Sequence, residues 1–210
     1  LVPVTRYRLG QLYMRQKKYE QAEKEFDVLI KKYPNEKYAI GANYYLGVAE
    51  KEKNQEKSRG YFFEYLKESP SGIFAGECIK ELSKYSSGFS KEENLYYGAA
   101  LYHAHSYQEA IPYLAAAAIK NSWYYKVKAL FAAGEKEQAF AVIENGLKNY
   151  ASYLSEKELE EMMNLYVRLD GRSSLMSWTQ LCDITSGKKV HDYALYNRAL
   201  RESEIPSLKT

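Results

Sequence analysis

The sequence predicts an all-α protein made of stacked antiparallel helical hairpins, about twelve helices in all. Three observations carry that expectation. Landmark residues recur at a fixed period: Gly10 to Gly47 is 37 residues and Pro34 to Pro70 is 36, the length of one two-helix unit. Apolar residues follow the i, i+3, i+4, i+7 spacing of a buried helical face and nowhere the alternation of a strand. Five prolines and 12 glycines in 210 residues are too few for the tight turns of a sandwich or barrel.

In the first copy, Leu9, Gly10, Tyr13, Tyr19, Ala22, Phe26, Leu29 and Pro34 stand at set offsets. Gly10 lets a neighbouring helix approach closely, Tyr13 fills the gap above the turn, and Ala22 sits where the paired helices cross. Pro34 ends the second helix. The second copy repeats Leu46, Gly47, Phe63, Leu66 and Pro70, but Glu50 replaces the tyrosine and Arg59 or its neighbours take the alanine place. Its register is therefore shifted or its turn shortened. Residues 71–88 supply one further helix through Phe74, Cys78, Ile79 and Leu82, broken at Ser86-Ser87-Gly88. A third copy runs Gly98, Leu101, Tyr107, Ala110, Leu114, Ala117, and a fourth runs Trp123, Leu130, Gly134, Ala139, Ile143 with Val127 at the glycine place. Pro112 is expected to bend its helix.

Beyond residue 150 the period fades while helix persists. Leu159, Met162, Met163 and Tyr166 make one buried face; Leu175, Trp178, Leu181 and Cys182, then Tyr193, Tyr196 and Leu200, do so more loosely. Ser90 with Glu93 and Ser155 with Glu158 read as capping boxes, and Gly171 and Gly187 punctuate the last helices. The expected divisions are 1–88, 89–151 and 152–210.

The first copy resembles the tetratricopeptide repeat, lacking the leading aromatic, where Arg6 stands. Leu29-Ile30-Lys31-Lys32-Tyr33-Pro34 and Ala42-Asn43-Tyr44-Tyr45-Leu46-Gly47 look most like bacterial envelope versions of that repeat. The resemblance implies a right-handed superhelix that binds a protein or peptide on its concave face, in the periplasm or cell envelope, with a cytoplasmic setting as the alternative. Carried over residue by residue, the groove positions are Tyr7, Gln11, Met14 and Arg15 in the first copy. They are Tyr44, Val48 and Lys51 in the second, Leu95, Ala99, Tyr102 and His103 in the third, and Tyr124, Lys128 and Phe131 in the fourth. Tyr7 and Tyr44 stand where a carboxylate-clamping Lys or Asn would be needed, so a terminal-carboxylate clamp is not expected. Rings with scattered cations suit an extended peptide or a glycan strand.

A shorter resemblance covers Asp192-Tyr193-Ala194-Leu195-Tyr196-Asn197-Arg198-Ala199-Leu200, which looks like the superhelical, non-catalytic part of soluble lytic transglycosylases. It implies a peptidoglycan ligand and a catalytic domain outside the chain. Glu68-Ser69 and Glu202-Ser203 lack that family's Gly-Leu-Met-Gln continuation, so no cleavage is assigned to them.

Composition narrows the remaining classes. Hydrophobics at 46% with 27% charged residues exclude a disordered chain. No apolar run approaches the roughly 18 residues of a membrane-spanning helix. Thirty Lys and Arg interleaved with 27 Asp and Glu do not announce nucleic acid. Tyrosine is the anomaly, at 22 residues beside 7 Phe and 2 Trp; its ring with one hydroxyl suits packing between stacked helices and binding surfaces alike. Cys78 and Cys182 read as small buried hydrophobes and leave the compartment undecided. The start Leu1-Val2-Pro3-Val4 lacks a signal-peptide pattern and an initiator methionine, so the chain reads as a processed or truncated piece.

Catalytic constellations are not found. His103 and His105 lie about 200° apart on a helix and cannot chelate one ion. His191-Asp192 opens a helix, and Glu158-Leu159-Glu160-Glu161 alternates with lysine on a solvated face. Ser69-Pro70-Ser71-Gly72 and Asp170-Gly171-Arg172 lack a phosphate-loop lysine and preceding strand. The expectation is a non-catalytic scaffold without metal or cofactor.

Overall fold

The computed structural model describes residues 2–85, 88–119, 121–169, 182–183, 185 and 191–204, with the side chains of 193, 197 and 200–204 excepted. Among them every regular element is helical. The helices are α1 (Val2–Arg15), α2 (Tyr19–Lys32), α3 (Lys37–Glu50), α4 (Gln55–Glu68), α5 (Ala75–Leu82), α6 (Lys91–His103), α7 (Tyr107–Ala117), α8 (Ser122–Ala132), α9 (Lys136–Tyr150), α10 (Glu156–Leu169) and α11 (His191–Glu204). Short 3-10 turns follow α5 and α9. The protein is an all-α helical repeat, as the period predicts.

The chain packs as two compact units, Leu1–Ser106 and Tyr107–Thr210. The boundary between the units falls between α6 and α7. The reason is a clamp at the start of α6. Arg59 of α4 lies between the rings of Phe63 and Phe89, 5.6 Å from each, and its guanidinium reaches Glu93 at 2.6 Å. Glu93 also completes the capping box, accepting from the Ser90 amide at 2.7 Å while its own amide donates to Ser90 Oγ at 3.1 Å. α6 is thereby tied back to α4 and α5, on which it packs.

In the first unit, α1 pairs with α2 and α3 with α4, and α2 packs on α3. Each pair is interlocked by a glycine. A Cβ on Gly10 would stand 2.6 Å from the Phe26 ring, and one on Gly47 would stand 2.6 Å from Phe62. Backbone thus meets ring face directly, which any side chain would prevent. Ala22 is fully buried at the first crossing; the equivalent place in the second is held by Ser58, also buried, whose Oγ donates to the Gly47 carbonyl at 2.7 Å. Arg59, one residue on, faces the clamp instead.

That one-residue offset comes from the turns. After α1 the Lys18 amide bonds the Tyr13 carbonyl and the Lys17 amide bonds Met14, with Lys17 at φ +58°. This is a Schellman motif. It recurs after α6, with His105 at φ +62°, and after α8, with Gly134 at φ +86°. After α3 it is replaced: the Asn54 side chain caps α4 by accepting from the Lys57 amide at 3.0 Å, and α4 begins eight residues after Gly47 where α2 begins nine after Gly10. The turn is shortened, and the alanine place moves to Ser58.

In the second unit, α7 packs on α8, α8 on α9 and α9 on α10. Here the interlock is inverted. Val127 and Ile143, at the glycine and phenyl places, are fully buried, and the indole of Trp123 presses on Gly146, where a Cβ would collide with the ring. α7 runs through Pro112. Leu159, Met162, Met163 and Tyr166 of α10 are buried together, and the Ser155–Glu158 capping box is reciprocal, at 2.8 and 3.3 Å.

In α11 the expected face needs correction. Tyr196 is 66% exposed, while Ala194 is fully buried; the small side chain takes the close approach and the phenol stays in water. Cys78 is a buried free thiol, which burial pushes up to about 12, and Cys182 is buried as well. Leu175, Trp178, Leu181, Gly171 and Gly187 lie outside the described residues.

Candidate functional site

Five tyrosines of the first unit, Tyr7, Tyr38, Tyr44, Tyr45 and Tyr65, share one ring network. Tyr7 on α1 meets Phe26, Tyr38 and Tyr45 at 5.4–6.0 Å between ring centroids. Tyr45 stacks on Phe26 at 5.3 Å and 8°, and Tyr44 stacks on Phe74 at 4.1 Å and 5°. The chain's tyrosine excess is thus spent here largely on inter-helix packing, with the hydroxyls finding partners at the rim. Gln11 Nε2 donates to Tyr45 Oη at 2.8 Å, and the Phe74 amide donates to Tyr65 Oη at 3.1 Å.

The sequence-predicted groove residues of α1 and α3 lie on the side where these two helices meet. Tyr7, Gln11, Met14, Tyr44, Val48 and Lys51 are each half-buried, and Arg15 is exposed. Arg6, at the place of the missing leading aromatic, binds Glu25 of α2 at 2.6 Å; an ion pair substitutes for ring packing. Lys51 reaches Glu81 on α5 at 2.8 Å, and Lys84 joins the same carboxylate at 2.6 Å. Burial works against ionisation of Glu81, but the bonds from Lys51 and Lys84 outweigh it and hold its carboxyl below the usual range. Burial, then the nearby Glu77, raises Tyr44; burial above all, then Tyr45, raises Tyr7 well above an ordinary phenol. On α6, Leu95 and Ala99 are buried, whereas Tyr102 and His103 are half-buried with their rings 5.2 Å apart.

On α8 the structure adds partners that sequence reading missed. Tyr124 is only 7% exposed, so its ring packs rather than opens to solvent. Its hydroxyl donates to Glu161 on α10 at 2.5 Å. Lys128 Nζ donates to the same carboxylate and to Tyr124 Oη, each at 3.0 Å. Seven residues along α10, the Arg168 guanidinium lies 5.1 Å from the Phe131 ring. The heptad spacing of Glu161 and Arg168 was the signal available in the sequence, hidden in a run of carboxylates read as solvated.

This trio has no activated nucleophile. Burial and the bond to Glu161 raise Tyr124 to about 12, with Lys128 opposing, so the phenol stays protonated. Burial opposes ionisation of Glu161, but Tyr124 and Lys128 prevail and lower its carboxyl. General-base work needs a group poised near the working pH, and neither is. Among the described residues no group of three or more His, Cys, Asp and Glu could hold a metal ion, and no helix is long and apolar enough to cross a membrane.

The glycine interlock, the buried Ala22 and the proline stop together define the α1–α2 hairpin, and the family model for the tetratricopeptide repeat matches residues 5–36. The first hairpin is similar to a tetratricopeptide repeat. Tetratricopeptide repeats generally mediate protein–protein interaction, and the half-buried residues of α1 lie within the matched segment. No curated protein matches the chain.

Proposed function

We propose that the chain is a non-catalytic scaffold that binds a protein or peptide of the bacterial cell envelope. The surface is the face on which α1 presents Gln11, Met14 and Arg15 and α3 presents Tyr44, Val48 and Lys51. The observation that carries this reading is the tetratricopeptide match over residues 5–36 together with a row of half-exposed side chains on that repeat's first helix. Burial of these residues is incomplete, so each retains surface to give to a partner, while Gln11, Tyr44 and Lys51 are held in place beforehand by Tyr45, Phe74 and Glu81. Preorganised side chains lose less entropy on binding. Lys51 and Lys84 converge on Glu81, which fixes the Lys51 ammonium at the end of this face.

The test is partner retention by face variants. Met14→Glu and Val48→Glu are expected to lose the envelope protein that co-purifies with the chain, while Lys31→Glu on α2 keeps it and all three melt alike. Retention of that protein by both Met14→Glu and Val48→Glu, with their folds intact, overturns the reading.

A further inference from the structure

The first hairpin has a second face, on the side turned away from α3. On α1, Val2, Thr5, Leu9 and Leu12 fall within about 80° of one another at 100° per residue, and the row is centred about 180° from Tyr7, whose ring meets Tyr38 and Tyr45 of α3. Val2 and Leu12 are 52% and 48% exposed. On α2, Gln21, Glu25, Val28 and Lys32 fall within about 60°. Between the two rows runs an open groove of about 440 Å³, lined by Val2, Thr5, Arg6, Leu9 and Glu25.

The neighbouring hairpin shows what such a face receives. The interval that carries Gly10 onto Gly47 carries Val2, Thr5, Leu9 and Leu12 onto Ala39, Ala42, Leu46 and Ala49. All four of these α3 residues are buried, and Ala42 and Leu46 share one core cluster with Ala22, Phe26 and Leu29 of α2. The same row is thus covered by a helix in α3, and in α1 by nothing among the described residues. α2 also brings a carboxylate to the edge of the face it covers, where Glu23 binds Lys53 at 2.8 Å. The edges of the outer face carry the matching cations. Arg8 and Lys24 stand about 40° beyond the two rows, each on the side away from the groove, and Lys32 lies within the α2 row. All three are exposed and form no ion pair among the described residues. Glu25, the one carboxylate in either row, is already held by Arg6 at 2.6 Å. Two copies of this face would set like charges against each other, whereas a helix edged with carboxylates complements it.

We propose that the outer face of α1 and α2 docks an amphipathic helix of a partner protein, which lays its apolar side on Val2, Leu9 and Leu12 and sets flanking carboxylates on Arg8 and Lys24. The docked helix takes the place against α1 that α2 takes against α3, and its apolar anchors recur at the i, i+3, i+4, i+7 spacing of a groove-bound helix. This goes beyond the inner-face reading and is independent of it.

The test titrates the chain into a fluorescein-labelled, hydrocarbon-stapled helix of about four turns, with leucines at the i, i+3, i+4 and i+7 positions and glutamates beside them, and reads anisotropy. Saturable binding is expected, at least tenfold weaker for the same helix with lysines in place of the glutamates. Leu12→Glu and Val2→Glu, both at exposed positions, should each weaken binding at least tenfold, and Arg8→Glu combined with Lys24→Glu should reverse the charge preference. Val48→Glu, on the inner face, should bind the helix as the parent does, so failure of the inner-face reading leaves this one standing. No saturable binding at millimolar concentration, equal affinity for the two helices, or unchanged binding by folded Leu12→Glu and Val2→Glu chains overturns the proposal. So does sedimentation of the chain alone as a dimer that Leu12→Glu disperses, which would make the occupant a second copy.

Discussion

The hairpins α1–α2 and α3–α4 close on the same interlock through different turns. In each, a bare glycine Cα meets a phenyl ring at a distance that no Cβ could share. Yet one turn is a Schellman motif carrying Lys17 at positive φ, and the other is one residue shorter and capped by Asn54. The helix crossing is thus held fixed while the connection varies, and the chain absorbs the lost residue by replacing Ala22's counterpart with Ser58. Close packing tolerates no change of volume, whereas a solvated turn accommodates several lengths.

The comparison breaks most readily at the rings. Phe26→Ala and Phe62→Ala should each cost about 3–5 kcal/mol in urea melts, by lost burial plus a cavity, and the two costs should be similar. Next come the glycines. Gly10→Leu and Gly47→Leu should lose about 1–3 kcal/mol by overpacking, while Gly60→Ala, in α4 with open space around it, should gain about 0.5–1 kcal/mol from helix propensity. A melt unchanged by Gly10→Leu would mean that the hairpin register is mistaken.

The turns should then diverge in sign. Lys17→Gly relieves a left-handed residue and should stabilise by about 1 kcal/mol. Asn54→Ala removes a cap and should destabilise by about the same amount. Equal signs for the two would erase the distinction between the turns.

How much of this was legible in the sequence follows the same division. Gly10, Ala22, Phe26 and Pro34 announced the first hairpin because core packing constrains residue type. Arg59 carried no comparable mark: its role depends on Phe89 and Glu93, 30 and 34 residues away, and no local pattern reports such a contact. Tyr196 was misjudged inward because a helical stripe shows spacing, while Ala194, two residues earlier, takes the buried place for its size. Tyr124 was read as an open ring because its partner, Glu161, belongs to a helix whose charges look solvated one by one.

The smallest effects are electrostatic. A phenol whose pKa is higher folded than unfolded stabilises the protein fully below its unfolded value, and that contribution disappears as pH rises through the folded one. For Tyr124, raised from 10.0 to about 12, the loss falls between those two values. Tyr124→Phe should flatten the thermal-melt profile there. Glu81 and Glu161 are lowered from 4.5, so their contribution is present above that value and is lost as pH falls below it. Both groups are partly exposed, so salt should weaken the acid effect.

The α1–α3 face is the proposed meeting place for partners. A photo-crosslinking residue placed at Val48, and separately at Lys31 on the far side of the hairpin pair, tests it directly in cells. Crosslinks to one and the same protein from Val48 and none from Lys31 are the predicted result; adducts formed equally from both positions, or from Lys31 alone, would contradict it.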